Sequence, residues 1–211
     1  MKDLITEEIF VNEINAMKDQ LFESLSHESD RGLILISSSF LEEALELLLR
    51  AKFKFINNKP KKLIDSFFNS DGPLSTFNHK IKMAYAMDII SKWEYQDLEI
   101  IRKIRNEFAH TFGAASFSSE KVVKLTETLV GADFAVKSIG KSTIKQKKAK
   151  IMKQNESIKP IDNKAKMERM RVTMTVSYMG GLLSARNIIF ASPSSKHIKD
   201  QILTSLNSSF T

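Results

Sequence analysis

Apolar residues recur at intervals of three and four along most of the chain, the spacing of helices with one face turned inward. The first such segment runs from about Thr6 to Ser26 and aligns Ile9, Phe10, Ile14, Met17, Leu21 and Leu25. A second starts near Ser29 or Asp30, either of which can cap it, and continues through GLILISSSFLEEALELLLRAKFKFI. Its apolar positions, among them Leu33, Ile34, Ile36, Phe40, Leu41, Leu45 and Leu48, cover more than one stripe. That breadth predicts a helix in the middle of a bundle. The run Ser37-Ser38-Ser39 inside it is read as room for a close helix neighbour, with a polar cleft wall as the alternative.

After a break from Asn57 to Pro60 comes a short amphipathic piece, KKLIDSFF, and then the turn Asn69-Ser70-Asp71-Gly72-Pro73. The spacing predicts a helix over about Leu74 to Ser91, with Phe77, Ile81, Ala84, Tyr85 and Ile89 inward. Another follows from about Trp93 to Phe112, with Leu98, Ile101, Ile104 and Phe108 inward and Gly113 as its stop. A fifth, about Ser119 to Val130, ends at Gly131. A last helix is predicted from about Lys164 to Phe190, carrying Met167, Met170, Val172, Met174, Val176 and Met179. Its methionines read as adaptable core filler, and Gly180-Gly181 as a kink or a tight crossing. The expected architecture is all-α: a bundle of about five helices in residues 1–136, with residues 137–163 as a basic linker. Residues 164–191 form a C-terminal helix packed on the bundle, and 192–211 a Ser-rich flexible tail.

Composition narrows the chemistry. The 211 residues include no cysteine, which excludes disulfides, thiolate zinc sites and cysteine nucleophiles. Only 7 Gly and 4 Pro punctuate the chain, in keeping with helices. No stretch reaches the roughly 20 apolar residues of a membrane span; the longest uncharged run, Val172 to Ala185, has 14. The N-terminus is acidic and lacks the apolar run of a signal peptide, so a cytoplasmic protein with no membrane association is expected.

Charge is unevenly spread. Residues 1–50 carry a net −7, whereas residues 137–172 hold 12 basic and 3 acidic side chains, a net +9 that exceeds the +7 of the whole chain. Lys141, Lys145, Lys147, Lys148, Lys150 and Lys153 are the candidate nucleic-acid contacts, since clustered lysines neutralise phosphates. A solvated, lysine-rich linker is the alternative.

His27, His79, His110 and His197 are the only histidines, and none stands at metal-ligand spacing from a second ligand, so neither a metal nor a cofactor is expected. Gly-rich phosphate loops, dinucleotide fingerprints and G-x-S-x-G are also missing. One hexamer stands out, Arg105-Asn106-Glu107-Phe108-Ala109-His110. At about 100° per residue, Asn106 and His110 lie about 40° apart on a helix, but Arg105 and His110 about 140° apart. Those two converge only through fraying or a second subunit. An Arg beside a titratable His suits metal-free RNA cleavage, the His moving a proton and the Arg stabilising charge on the phosphate. The structural alternative pairs Arg105 with Glu42, Glu43 or Glu46, and leaves His110 at a helix end, where the dipole favours it.

Residues 71–110, DGPLSTFNHKIKMAYAMDIISKWEYQDLEIIRKIRNEFAH, resemble the core of the mannitol operon repressor family. The likeness rests on the Asp71-Gly72-Pro73-Leu74 turn, the Ile81-Lys82-Met83-Ala84-Tyr85 face and the Arg105–His110 ending, and extends to Arg31–Leu49 and Met170–Leu183. It implies a helical bundle that regulates a sugar operon. With no helix-turn-helix in evidence, such a regulator acts through a protein partner or through the basic segment. The hexamer also resembles the R-x4-H motif of HEPN domains, helical bundles that include RNA-cleaving toxins. That resemblance implies catalytic roles for Arg105 and His110, with Asn106 beside them, in a homodimer whose two motifs face one cleft. The expected functions are therefore a cytoplasmic repressor or co-repressor, with a metal-independent endoribonuclease and a non-enzymatic adaptor as alternatives.

Overall fold

A computed structural model of the chain describes residues 15–57, 60–110, 116–138 and 160–191. All regular structure among them is helical: α1 (residues 15–26), α2 (Asp30–Asn57), α3 (Lys61–Phe68), α4 (Phe77–Ala86), α5 (Lys92–His110), α6 (Glu120–Thr126), α7 (Gly131–Ser138) and α8 (Pro160–Ala191). The expected all-α bundle is the observed one.

Local chemistry sets most of the boundaries. The Ser29 hydroxyl accepts from the Gly32 amide (3.0 Å) at the start of α2, and Thr76 accepts from His79 N (3.3 Å) at the start of α4. α5 opens with half of a capping box: the Glu94 carboxylate accepts from the Ser91 amide (2.7 Å) and hydroxyl (2.8 Å). α8 begins at Pro160, four residues before the predicted start, since a proline suits the first helical position.

Two predicted helices are corrected. The segment expected to run from Leu74 to Ser91 is helical only from Phe77 to Ala86. There the chain turns into the left-handed region at Asp88 (φ 53°), while the Ile89 amide donates to Ala84 O (2.9 Å) and the Asp88 amide to Tyr85 O (3.1 Å). This is a Schellman ending with aspartate in place of glycine. The helix expected over Ser119 to Val130 stops at Thr126, and Gly131 opens α7 rather than ending α6.

The core lies between α2 and α8, which cross with extensive contact and are flanked by α4, α5 and α7. Leu33, Ile34, Leu41, Leu45 and Leu48 of α2 meet Val172, Val176, Met179, Leu182 and Leu183 of α8 in one cluster with Leu98, Ile101, Ile104 and Phe108 of α5. The last helix is therefore a central element, more than an addition to a finished bundle. Ser37 and Ser38 are fully buried, and Ser38 returns its hydroxyl to Ile34 O (2.8 Å). Small side chains thus serve packing here. Gly180 does the same on α8, where a Cβ would come within 2.6 Å of Leu21 Cδ1 and 2.7 Å of Phe40 Cε1. Three residues predicted to face inward, Ile36, Tyr85 and Met167, are exposed. Each lies on a helix face that no described neighbour covers fully.

Ion pairs hold the periphery to this core. Lys80 of α4 is almost fully buried and bridges Glu42 (3.1 Å) and Glu46 (2.8 Å) of α2. Arg50 joins Glu46 (2.8 Å) to Asp65 of α3 (2.6 Å). Burial works to raise the Glu46 pKa, but the hydrogen bonds from Lys80 and Arg50 outweigh it and hold the carboxyl below its usual range. Arg169 of α8 pairs with Asp30 (2.8 Å) and donates to the carbonyls of Leu25 and Glu28, closing the α1–α2 corner.

Candidate functional site

α5 carries the polar residues of interest at both ends, joined by an apolar middle of Leu98, Ile101 and Ile104 that anchors it in the core. Its C-terminal end holds the hexamer. The helix runs unbroken to His110, so Arg105 and His110 leave it about 140° apart within one chain. Arg105 and Asn106 are half-buried and His110 is exposed, while Phe108 between them is fully buried and rests on Phe117, with ring centroids 5.4 Å apart.

The alternative pairing of Arg105 with Glu42, Glu43 or Glu46 is absent among the described residues. Glu42 and Glu46 are taken by Lys80 and Arg50 instead, because α4 and α3 lie against that part of α2. Asn106 has a different setting. Together with Lys103 and Glu107 it forms one wall of a groove of about 350 Å³, and Lys121, Lys124 and Leu125 of α6 form the other. Lys121 reaches Glu107 across the mouth, and Lys124 pairs with Glu120 on its own helix (2.6 Å).

The N-terminal end of α5 holds a polar centre that sequence reading passed over. Glu94 and Asp97, three residues apart and so on one face, are both fully buried. Glu94 meets the equally buried Arg186 of α8 through its two terminal guanidinium nitrogens, the longer contact at 3.1 Å. Asp97 accepts from the amides of Val130 (3.1 Å) and Gly131 (2.7 Å) and so caps α7 from another helix. This contact starts a new helix at Gly131, the residue expected to end the fifth helix. Burial pushes the Asp97 carboxyl up to about 6, against the pull of the two backbone amides, and the nearby Glu94 and Asp133 carboxylates add to the rise. Burial likewise pushes the Tyr178 hydroxyl up to about 12, with the Glu94 carboxylate adding to the shift.

The S-K-W-E pattern at Ser91–Glu94 is a sequence signal for the capping box. Nothing local marks Arg186 or Gly131 as its neighbours. This centre is closed, and its geometry is that of a structural clamp joining α5, α7 and α8. Among the described residues no group of His, Asp and Glu is placed to hold a metal ion. The candidate nucleic-acid contacts Lys141, Lys145, Lys147, Lys148, Lys150 and Lys153 lie outside the described residues, as does the predicted tail.

Comparison with known proteins places this architecture. The sequence profile of the mannitol repressor family matches residues 17–181, from α1 through most of α8. The mannitol operon repressors of Escherichia coli K12 and of Escherichia coli O6:H1 CFT073 are each 23% identical to the chain over 114 residues. That alignment takes in 54% of the chain and spans 58% of the length of those curated relatives. Among solved structures, the fold is similar to that in the X-ray structure of the MtlR–HPr complex from Escherichia coli, with a TM-score of 0.53 and 19% identity, covering 81% of this chain and 98% of that one. It is also similar to a possible transcriptional regulator, YggD, from Shigella flexneri 2a 2457T, with a TM-score of 0.56 and 12% identity over 79% of this chain and 98% of that one.

Proposed function

The chain belongs to the mannitol repressor family, and from that premise we propose that it is a cytoplasmic regulator that represses a sugar-utilisation operon through a protein partner. The observation that carries this reading is the extent of the family match. Residues 17–181 take in most of α1, all of α2 to α7, and most of α8, with the greater part of the core, so the match covers most of the folded unit rather than one motif. The MtlR–HPr complex supports a protein partner, because it shows a protein of similar fold binding another protein. Among the described residues no helix is long and apolar enough to cross a membrane.

Residues 137–172, with a net +9, supply a non-specific hold on nucleic acid in this reading, and the regulator works as a homodimer. Their lysines displace counterions from phosphates, so binding should weaken steeply with salt.

The test compares transcripts of the host with and without the gene, then with the gene restored. Loss of the chain should raise expression of a small set of genes for sugar uptake and use, and restoration should lower it. A restored variant with Lys145, Lys147, Lys148 and Lys150 changed to Gln should repress less well and bind DNA with a flatter salt dependence. Unchanged transcripts on deletion would remove the regulator reading. Full repression by the lysine variant would remove the role of the basic segment.

A further inference from the structure

The groove between α5 and α6 is not used by the regulator reading. We propose that it is a binding site for a small phosphate monoester, with the phosphate held by Lys103, Lys121 and Lys124.

A concavity of about 350 Å³ falls in the size range of small-ligand sites, and its walls are firmly based. α5 is rooted through Ile101, Ile104 and Phe108 and α6 through Val122 and Thr126, all buried. Such a site loses little freedom on binding.

Charge gives the ligand its class. Three of the six lining side chains are lysines; Lys121 is paired with Glu107 and Lys124 with Glu120, so Lys103 supplies the groove's excess of positive charge. Lys121 already answers a carboxylate there, that of Glu107. The Lys121 side chain is 70% exposed, and an exposed pair of this kind is worth about 1 kcal/mol or less, so a phosphate dianion can take it over. Asn106 offers an amide to hydroxyl groups of the ligand, and Leu125 an apolar surface to its carbon skeleton.

A single compact anion fits better than a nucleic-acid backbone. Glu120 and Glu127 flank the lysines on and just after α6, and a continuous polyanion would have to pass them. This proposal does not depend on the regulator reading.

The test measures the melting temperature of the full chain at fixed ionic strength with added glycerol 3-phosphate, a hexose 6-phosphate, inorganic phosphate, the unphosphorylated hexose, or a short single-stranded RNA. The expected result is a rise of a few degrees with at least one monoester and none with the unphosphorylated hexose. The double variant Lys103→Ala/Lys121→Ala should lose the rise while melting near the wild-type temperature without ligand, since these side chains are exposed. Glu107→Gln should bind the monoester severalfold more tightly, because it removes the competing carboxylate. No rise with any phosphate, an equal rise in the double variant, or a preference for RNA over every monoester would overturn the proposal.

Discussion

The two ends of α5 differ in almost everything except polarity. At the N-terminal end Glu94 and Asp97 are buried and held by partners from α7 and α8. At the C-terminal end Arg105 and Asn106 are half-buried and His110 is exposed, beside an open groove. A helical wheel treats the ends alike, as polar residues next to an apolar stripe. What separates them is cover from distant chain: α8 closes over one end and leaves the other to solvent. Polar residues on a helix therefore point to function only once their neighbours are known.

The largest test of this contrast is Arg186→Met. It strands the Glu94 carboxylate in the core, and losing one partner of a buried pair costs about 3–5 kcal/mol. The double variant Glu94→Gln/Arg186→Met should recover much of that loss. Urea unfolding gives both values, and a single-variant loss well below about 1 kcal/mol would show the pair to be poorly buried. Gly131→Ala comes next. Its Cβ would lie 2.8 Å from Thr175 Cγ2 and 3.0 Å from Asp97 Oδ2, an overpacking expected to cost about 1–3 kcal/mol and to loosen α7. Protection of the α7 amides from hydrogen exchange should fall with it.

Asp97→Asn should act in the opposite direction. Burial raises the folded-state pKa of Asp97 from 3.8 to about 6, so the folded chain binds this proton more tightly than the unfolded chain. Stability from the group is complete below about pH 4, declines as pH rises towards 6, and is level above that. Asparagine keeps an acceptor for Val130 and Gly131 without the buried charge. The variant should be more stable than wild type at neutral pH, by about 1–3 kcal/mol, and the gap should shrink on acidification to pH 4. A gap independent of pH would mean that Asp97 titrates as if in water.

The smallest effects belong to the exposed end. Arg105→Ala and His110→Ala should each change stability by about 0.5 kcal/mol or less. Because both fold, a cleavage assay on RNA in the presence of a chelator reads chemistry alone. On the regulator reading, wild type and the two variants cleave equally little. Cleavage by wild type only would instead make the hexamer catalytic.

Much of the fold was legible because helix periodicity is written locally. The central place of α2 followed from its double apolar stripe, and the short α3 from KKLIDSFF alone. Asp88 escaped notice because aspartate seldom takes the glycine position of a helix ending. The start of α7 was invisible for another reason: the acceptor that caps it, Asp97, lies 34 residues earlier. The hexamer at Arg105–His110 was visible as a pattern, whereas the groove beside Asn106 needed α6 to be set against α5.

By itself, then, the sequence determined that this protein is a cysteine-free, all-α bundle with a strongly basic stretch, since composition and three-to-four periodicity depend on neighbouring residues only. The tertiary structure alone decided which charges are buried and paired, where α6 gives way to α7, and which end of α5 stays open. Those outcomes depend on contacts between residues as far apart as Glu94 and Arg186, and the dielectric and hydrogen-bonding surroundings that fix the behaviour of a charged side chain come from whatever the fold packs against it.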